Sequence, residues 1–517
     1  MSRVGSIAKW RGLPVACLAV ALMAAALRFG LLAGHAIAFP FELDYGEGIV
    51  WQQMRMILAG RGYAPLAPFP AIVFHYPPLY HLTAAAVAMT GLDQLAAGRL
   101  VSVLCTLVGA FLSGSIVAGF APSGDDRAAY RIGGAATAFA LLATQPVLIW
   151  GILFRVDMLS LALSLGGLWL GIRALTHPRA IHGAALCFAA AIFAKQTAIA
   201  TPLAVFLVLS GVRPRTALAG IGSGLAVAGL ALAATMTATH GEFLRHIVFY
   251  NMNRFSWSAG LEIPIVIGMH AGLVLAAAIG LVPRVRALST ADWRERLRVE
   301  PRAAALAMLV AYLVIATATL AMKFKSGSSI NYFLEWTVAI AMGAGLAVAA
   351  AIAAARRGDR NRWLAAAPWL VAAQTLAAAV FLDADYAARA AQSPDFSRLT
   401  EAMRAAPGPI ISDDMVLLLR AGKPVLLEPS IFAELSAKRV LDDRPVLAML
   451  ERRRFSMLLT EGDPGDETFD SRYSPAMTRI MITAYPQEIR LSNSYVVRLP
   501  DGPVPGWARG LPASDSD

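Results

Sequence analysis

Long apolar runs constrain this chain most. They fall at about 13–37, 100–120, 132–151, 158–174, 216–238, 263–282, 303–322, 333–355 and 363–382, each long enough to cross a bilayer as a helix. A further apolar stretch, 183–210, carries Lys195 at its middle and reads as two short helices meeting at a polar turn. The sequence therefore predicts about eleven crossings. Composition agrees: 57% of residues are hydrophobic and 15% charged, with mean hydropathy +0.59, whereas a soluble chain carries about a quarter charged residues.

The net charge of +11 does not point to nucleic acid, because the arginines gather in short loops between apolar runs. Arg3, Lys9 and Arg11 precede the first run. Arg127 and Arg131, Arg173 and Arg179, Arg213 and Arg215, the group Arg284–Arg302, and Arg356–Arg362 fill every second loop after it. Cytoplasmic loops are the Lys- and Arg-rich ones, which places the N-terminus inside. The loops holding Asp44, Asp157, Lys195, Arg254 and Asn331, and the tail after Asp383, then face outward. Ala36-Ile37-Ala38 resembles a signal cleavage site, but the first apolar run is longer than a signal core and is read as an anchor. Cys17, Cys105 and Cys187 all fall within apolar runs and offer neither a disulfide framework nor a metal spacing.

The first outer segment, about 38–99, opens with Glu42-Leu43-Asp44-Tyr45-Gly46-Glu47-Gly48. Carboxylates at a bilayer surface cost solvation energy unless they have polar work to do. Residues 48–59 place Ile49, Val50, Met54, Ile57 and Leu58 on one side of a helix, with Gly60 as its stop, suited to lying along the membrane. A Pro- and aromatic-rich stretch follows, ending His75-Tyr76-Pro77-Pro78-Leu79-Tyr80-His81-Leu82. The run 79–92 is short for a crossing and reads as a second surface segment.

This segment resembles the first outer loop of the GT-C superfamily of glycosyltransferases, which includes protein mannosyltransferases and lipid A aminoarabinose transferases. Further similarities lie in Arg155-Val156-Asp157-Met158, Ala194-Lys195-Gln196-Thr197 and Asn331-Tyr332-Phe333-Leu334-Glu335, and the resemblance spans roughly residues 10–382. It implies a mainly α fold: a polytopic GT-C-like catalytic domain over 1–382 that moves a sugar from a polyprenyl-phosphate donor to a hydroxyl acceptor (a glycan, lipid or protein), with inversion, at the outer face of a bacterial inner membrane.

That reaction needs a base for the acceptor hydroxyl and cations for the departing phosphate. Asp44 is the expected base. Glu47 and Asp157 complete the catalytic carboxylates, and Lys195, Arg155 and Arg99 are the expected phosphate ligands. His75, Tyr76, Tyr80, Arg254, Asn331, Tyr332 and Glu335 are expected around the sugar and acceptor; Glu335, inside a span, needs a partner such as Lys323, Lys325 or a substrate hydroxyl. A divalent ion (Mg or Mn) is an open requirement, with Asp44 and Glu47 its ligands if one is used. Plainer roles compete: helix capping for Asp44 and Glu47, snorkelling or ion pairing for Lys195, a local salt bridge between Arg155 and Asp157, and an interfacial belt for the aromatics.

After Asp383 the pattern is that of a small α/β domain, 383–500, with strands at 409–412, 424–427, 455–459 and 495–499 and helices near 395–406, 431–453 and 474–484. Asp413 and Asp414 read as turn residues there, and 501–517 as a disordered tail. Two other functions stay open on sequence alone: a transporter or lipid flippase, whose buried charges mark a pathway, and a noncatalytic envelope scaffold on the same fold.

Overall fold

The computed structural model describes residues 2–512 except 68, 123, 125, 252, 253, 290, 291, 382–388, 390, 492 and 493, with the side chains of 2–12 also left out. The boundary expected at 383 thus lies outside the described residues.

The chain opens with α1 (Ser2–Ala38), followed by α2 (Gly46–Leu58) and α3 (Leu79–Ala88). The bundle continues through α4 (Gln94–Ala118), α5 (Arg127–Leu142), α6 (Gln145–Trp150), α7 (Asp157–Arg173), α8 (Ala180–Ala194), α9 (Ala200–Val212) and α10 (Pro214–Ala238). Short α11 (Glu242–Leu244), α12 (Trp257–Gly260) and α13 (Glu262–Met269) lead into α14 (Ala271–Leu288), α15 (Trp293–Val299), α16 (Pro301–Thr319), α17 (Leu334–Arg356) and α18 (Arg362–Phe381).

Among the described residues, seven helices are long and apolar enough to cross a membrane: Leu13–Ala38, Gln94–Ala118, Pro214–Ala238, Ala271–Leu288, Pro301–Phe324, Ile330–Arg356 and Arg362–Phe381. The other four expected crossings fall on shorter helices: α5 with α6, α7, α8 and α9. Lys195 divides the last two as anticipated, its extended backbone (φ −150°, ψ 115°) ending α8 at Ala194. α17 forms the centre, with 89% of its most apolar stretch buried inside the protein against 11% for α10. Its alanines and glycines allow this: a Cβ on Gly345 would stand 1.9 Å from Thr137 Oγ1 of α5.

The tail holds a four-stranded sheet in the order β1 (Ile410–Ser412), β2 (Met457–Glu461), β4 (Tyr495–Leu499), β3 (Gln487–Arg490). β1 runs parallel to β2, and the other pairs are antiparallel, with Leu459 opposite Val497 and Val497 opposite Ile489. Three expectations change. Residues 424–427 do not join the sheet; Leu427 instead bridges Ala71 of the first outer segment, whose N–H donates to the Leu426 carbonyl at 2.7 Å. The helix expected over 431–453 is two, Pro429–Ala437 and Arg444–Glu451, the first ending before Arg439 at positive φ. The tail beyond 501 is placed as far as 512, because Ala508 and Leu511 bury against the domain.

The tail is not merely tethered. One apolar cluster joins Val50, Met54 and Phe74 of the first outer segment to Phe396, Val416 and Leu499 of the tail. Gly48 permits a close approach, since a Cβ there would meet Met415 Cβ at 2.7 Å. Arg420 adds an ion pair to Asp93 at 2.5 Å. Asp414 caps the helix Met415–Arg420, accepting from Leu417 N–H at 2.9 Å, which is the turn role anticipated for it.

Candidate active site

A cavity of about 660 Å³ lies between loops at one end of the bundle and the tail domain. Its walls bring together Asp44, His75, Tyr76, Arg155, Lys195, Arg254, Asn331 and Tyr332, residues that the sequence scatters across nearly 300 positions.

Asp44 sits just ahead of α2. Its Oδ1 accepts from Gly46 N–H at 3.1 Å and faces Arg155 Nε at 3.4 Å, and its side chain keeps 28% of its surface exposed. Gly46 leaves room for the guanidinium, since a Cβ there would stand 1.3 Å from Arg155 Nη1 and the side chain would have to shift. Arg155 therefore pairs with Asp44 rather than with its sequence neighbour Asp157.

Asp157, buried at the start of α7, instead accepts from Lys195 Nζ at 2.5 Å and from Asn331 Nδ2 at 2.8 Å. Tyr332 presents its ring to two ammonium groups, Lys195 at 5.2 Å and Lys325 at 5.6 Å. His75 is fixed through its carbonyl, which accepts from Gln196 at 2.8 Å and Asn251 at 3.1 Å. Burial, reinforced by Lys325, His246 and Arg155, pushes the His75 imidazole down to about 3, so it stays neutral at ordinary pH.

The opposite wall belongs to the tail, through Glu428, Ser430, Glu434, Asp470, Ser471 and Tyr473 among others. Tyr45, next to Asp44, donates its hydroxyl to Glu428 at 2.7 Å, and its ring lies 4.2 Å from the Arg472 guanidinium. Arg472 is itself held by Asp413 at 3.1 Å and Glu461 at 2.9 Å, so Asp413 is an ion-pair anchor as well as a turn residue. Burial pushes the Glu428 carboxyl up to about 7.

Five expected site residues do not line this cavity: Glu47, Arg99, Tyr80, Asp157 and Glu335. Glu47 and Arg99 pair with each other at 2.6 Å, both fully buried. Both Glu47 oxygens are taken, by Arg99 and by the Leu43 and Phe154 N–H groups, which seals Glu47 away from the cavity. Arg99 spends its remaining donors on the carbonyls of Ala36, Phe39 and Phe41, which leaves none for phosphate. Tyr80 is buried, its hydroxyl bonded to Gly98 O at 2.9 Å and Ser102 Oγ at 3.1 Å. Glu335 lines a separate chamber of about 40 Å³ beneath Lys195, with Asp157, Ser160 and Ser164. Neither proposed lysine partner takes it as a salt bridge among the described residues: Lys323 pairs with Glu262 at 2.9 Å, and Lys325 faces the cavity.

The pair Asp44 and Glu47 does not fit a metal ion, since Arg99 and two backbone donors occupy Glu47. Among the described residues, no group of three His, Cys, Asp or Glu side chains is placed to hold one. Sequence reasoning missed the tail's acids, which sit almost 400 positions from Asp44, and treated Lys325 only as a partner for Glu335. The crowding of basic residues after α16 was the one available signal for Lys325.

Residues 74–322 match the profile of glycosyltransferase family 87. Among solved structures, the fold resembles ArnT from Cupriavidus metallidurans in the apo state, with a TM-score of 0.58 at 15% identity, covering 94% of this chain and 97% of that one. The same protein bound to undecaprenyl phosphate gives a TM-score of 0.57 at 16% identity, over 96% and 99% of the two chains. No curated protein matches the sequence. The chain thus shares the ArnT fold, and a glycosyltransferase family 87 pattern runs from the first outer segment to the end of the helix that begins at Pro301.

Proposed function

We propose that this protein transfers a sugar from a polyprenyl-phosphate donor to a hydroxyl acceptor, with inversion, at the outer face of a bacterial inner membrane. The observation that carries this reading is the placement of Asp44 on the same cavity as Lys195 and Arg155. The bound undecaprenyl phosphate named for the ArnT structure supports a lipid-phosphate donor.

In this mechanism, Lys195, Arg155 and Lys325 receive the donor phosphate, while the isoprenoid chain leaves the cavity into the bilayer. Asp44 takes the proton of the acceptor hydroxyl as its oxygen attacks the anomeric carbon. The bond from that carbon to the phosphate oxygen breaks, and the phosphate keeps the electron pair. The leaving group thereby changes from a diester with one negative charge to a monoester with up to two, and fixed cations favour that change more than they favour the bound donor. Asp157 and Asn331 position Lys195 without touching the reacting atoms. Neutral His75, with Tyr76, Arg254 and Tyr332, borders the space for sugar and acceptor.

The test uses purified full-length protein with undecaprenyl phosphate, and envelope glycan mass spectrometry of a deletion strain carrying each variant. Asp44→Asn is expected to bind the lipid phosphate normally while its glycan product disappears. Wild-type product levels in the Asp44→Asn strain would end the base assignment, and a protein indifferent to undecaprenyl phosphate would end the donor assignment.

A further inference from the structure

At the end of the bundle away from the cavity, α15 lies across the gap between the end of α9 and the helices α14 and α16. The seven residues of α15, Trp-Arg-Glu-Arg-Leu-Arg-Val, include none that is buried. Trp293 and Leu297, one turn apart, form a ridge shared by two grooves. One groove, about 510 Å³, is walled by Leu207, Val208 and Val212 of α9 with Arg294 and Arg298 of α15. The other, about 600 Å³, is walled by Leu288, Val310 and Val314 among others.

The walls and the charges together say what fits. Leu207 and Val314 are 66% and 61% exposed on apolar helices, so acyl chains are the natural filling for both grooves. The polar edge is basic: residues 284–302 hold six arginines against three acids, and Arg213 follows Val212 directly. Arg296 is committed to the Ala287 carbonyl at 2.5 Å and to Glu300 at 3.2 Å, which pins α15 in place. Arg294 and Arg298 instead wall the groove itself. Such an edge favours a phosphate and disfavours a headgroup that carries its own cation.

We propose that one anionic diacyl phospholipid straddles α15, with a chain in each groove and its phosphate at Arg294 and Arg298. This site is separate from the cavity and does not depend on the reaction assigned there. Native mass spectrometry of the full-length protein tests it, with palmitoyl-oleoyl phosphatidylglycerol, the matching phosphatidylcholine, and single-chain lysophosphatidylglycerol as probes. Phosphatidylglycerol is expected to be retained as one copy, at least tenfold better than phosphatidylcholine and than the single-chain lipid. The double variant Arg294→Gln/Arg298→Gln should erase the headgroup preference, Arg294→Lys/Arg298→Lys should keep most of it, and neither should alter undecaprenyl phosphate binding. Equal retention of the two diacyl lipids overturns the site, as does a preference that survives the Gln variants. Retention of the single-chain lipid as strongly as the diacyl one overturns the straddling geometry.

Discussion

Two buried ion pairs flank the outer end of the bundle, and they differ in how completely they are satisfied. Glu47 and Arg99 are both fully buried, 2.6 Å apart, and every oxygen of the carboxylate has a protein donor. Lys195 and Asp157 are 2.5 Å apart, but Lys195 keeps 12% of its side chain exposed to the cavity, and among the described residues its ammonium donates only to Asp157, leaving donors for an anion. A saturated pair has no capacity left for a ligand. A pair with spare capacity beside a cavity is where an anionic group is able to exchange partners. Sequence position alone ranked the four residues together, and geometry separates them into a clamp and a site.

The largest effect should come from breaking the clamp. Burial raises the Glu47 carboxyl, but Arg99 and the backbone donors outweigh it and hold the group below its usual range. Glu47→Ala would leave Arg99 charged, buried and unpaired, a loss of about 3–5 kcal/mol. Fluorescence-detected size exclusion should show little folded protein. A well-folded Glu47→Ala protein that lacks only activity would return Glu47 to the catalytic set.

The open pair should show its effect in binding. Lys195→Ala removes a charged donor from the cavity wall and leaves the buried Asp157 with Asn331 as its donor, so its melting temperature should also fall, by less than that of Glu47→Ala because the vacated position opens onto the cavity. Its affinity for undecaprenyl phosphate should fall about tenfold to a hundredfold, which corresponds to about 1.5–3 kcal/mol for a charge-assisted hydrogen bond. Titration of the purified protein measures it. Unchanged affinity would shift the phosphate site toward Arg155 and Lys325.

The same contrast explains what the sequence made legible. The apolar runs and basic loops announced the bundle because hydrophobic length and charge bias are local properties. Asp44, Arg155, Lys195 and Asn331 were found because each interrupts or borders an apolar stretch at one membrane face. Glu47 and Arg99 carried the same local signal, and only their mutual approach across 52 positions shows them to be sealed. The tail's contribution was invisible for a similar reason. Glu428 and Asp470 resemble ordinary surface acids of a soluble domain until Gly48 and Tyr45 bring that domain onto α2.

A smaller, pH-dependent effect belongs to Glu428. Its carboxyl titrates at about 7 in the folded protein against an ordinary value of 4.5, with burial the main cause. Below pH 4.5 it is protonated in both folded and unfolded chains. As pH rises toward 7, the unfolded chain releases this proton first, so the group's contribution to stability falls and then levels off. Glu428→Gln keeps an oxygen for the Tyr45 hydroxyl and removes the titration. The melting temperature of the variant relative to wild type should therefore be higher at pH 8 than at pH 5. An identical difference at both pH values would mean that Glu428 is already ionised in the fold.

The mildest test sits closest to the clamp. Tyr80 lies in the segment where substrate-facing aromatics were expected, yet its hydroxyl is bonded to Gly98 O and Ser102 Oγ inside the protein. Tyr80→Phe deletes that hydroxyl, leaves the ring in place and frees one carbonyl, for a stability loss of about 1 kcal/mol. Tyr76, only four residues earlier, lines the cavity. Tyr76→Phe should accordingly alter product formation while barely moving the melting temperature, and Tyr80→Phe should do the reverse. Equal losses of product in the two strains, at matched protein levels, would place Tyr80 on the cavity after all and erase the distinction between sealed and open side chains at this end of the bundle.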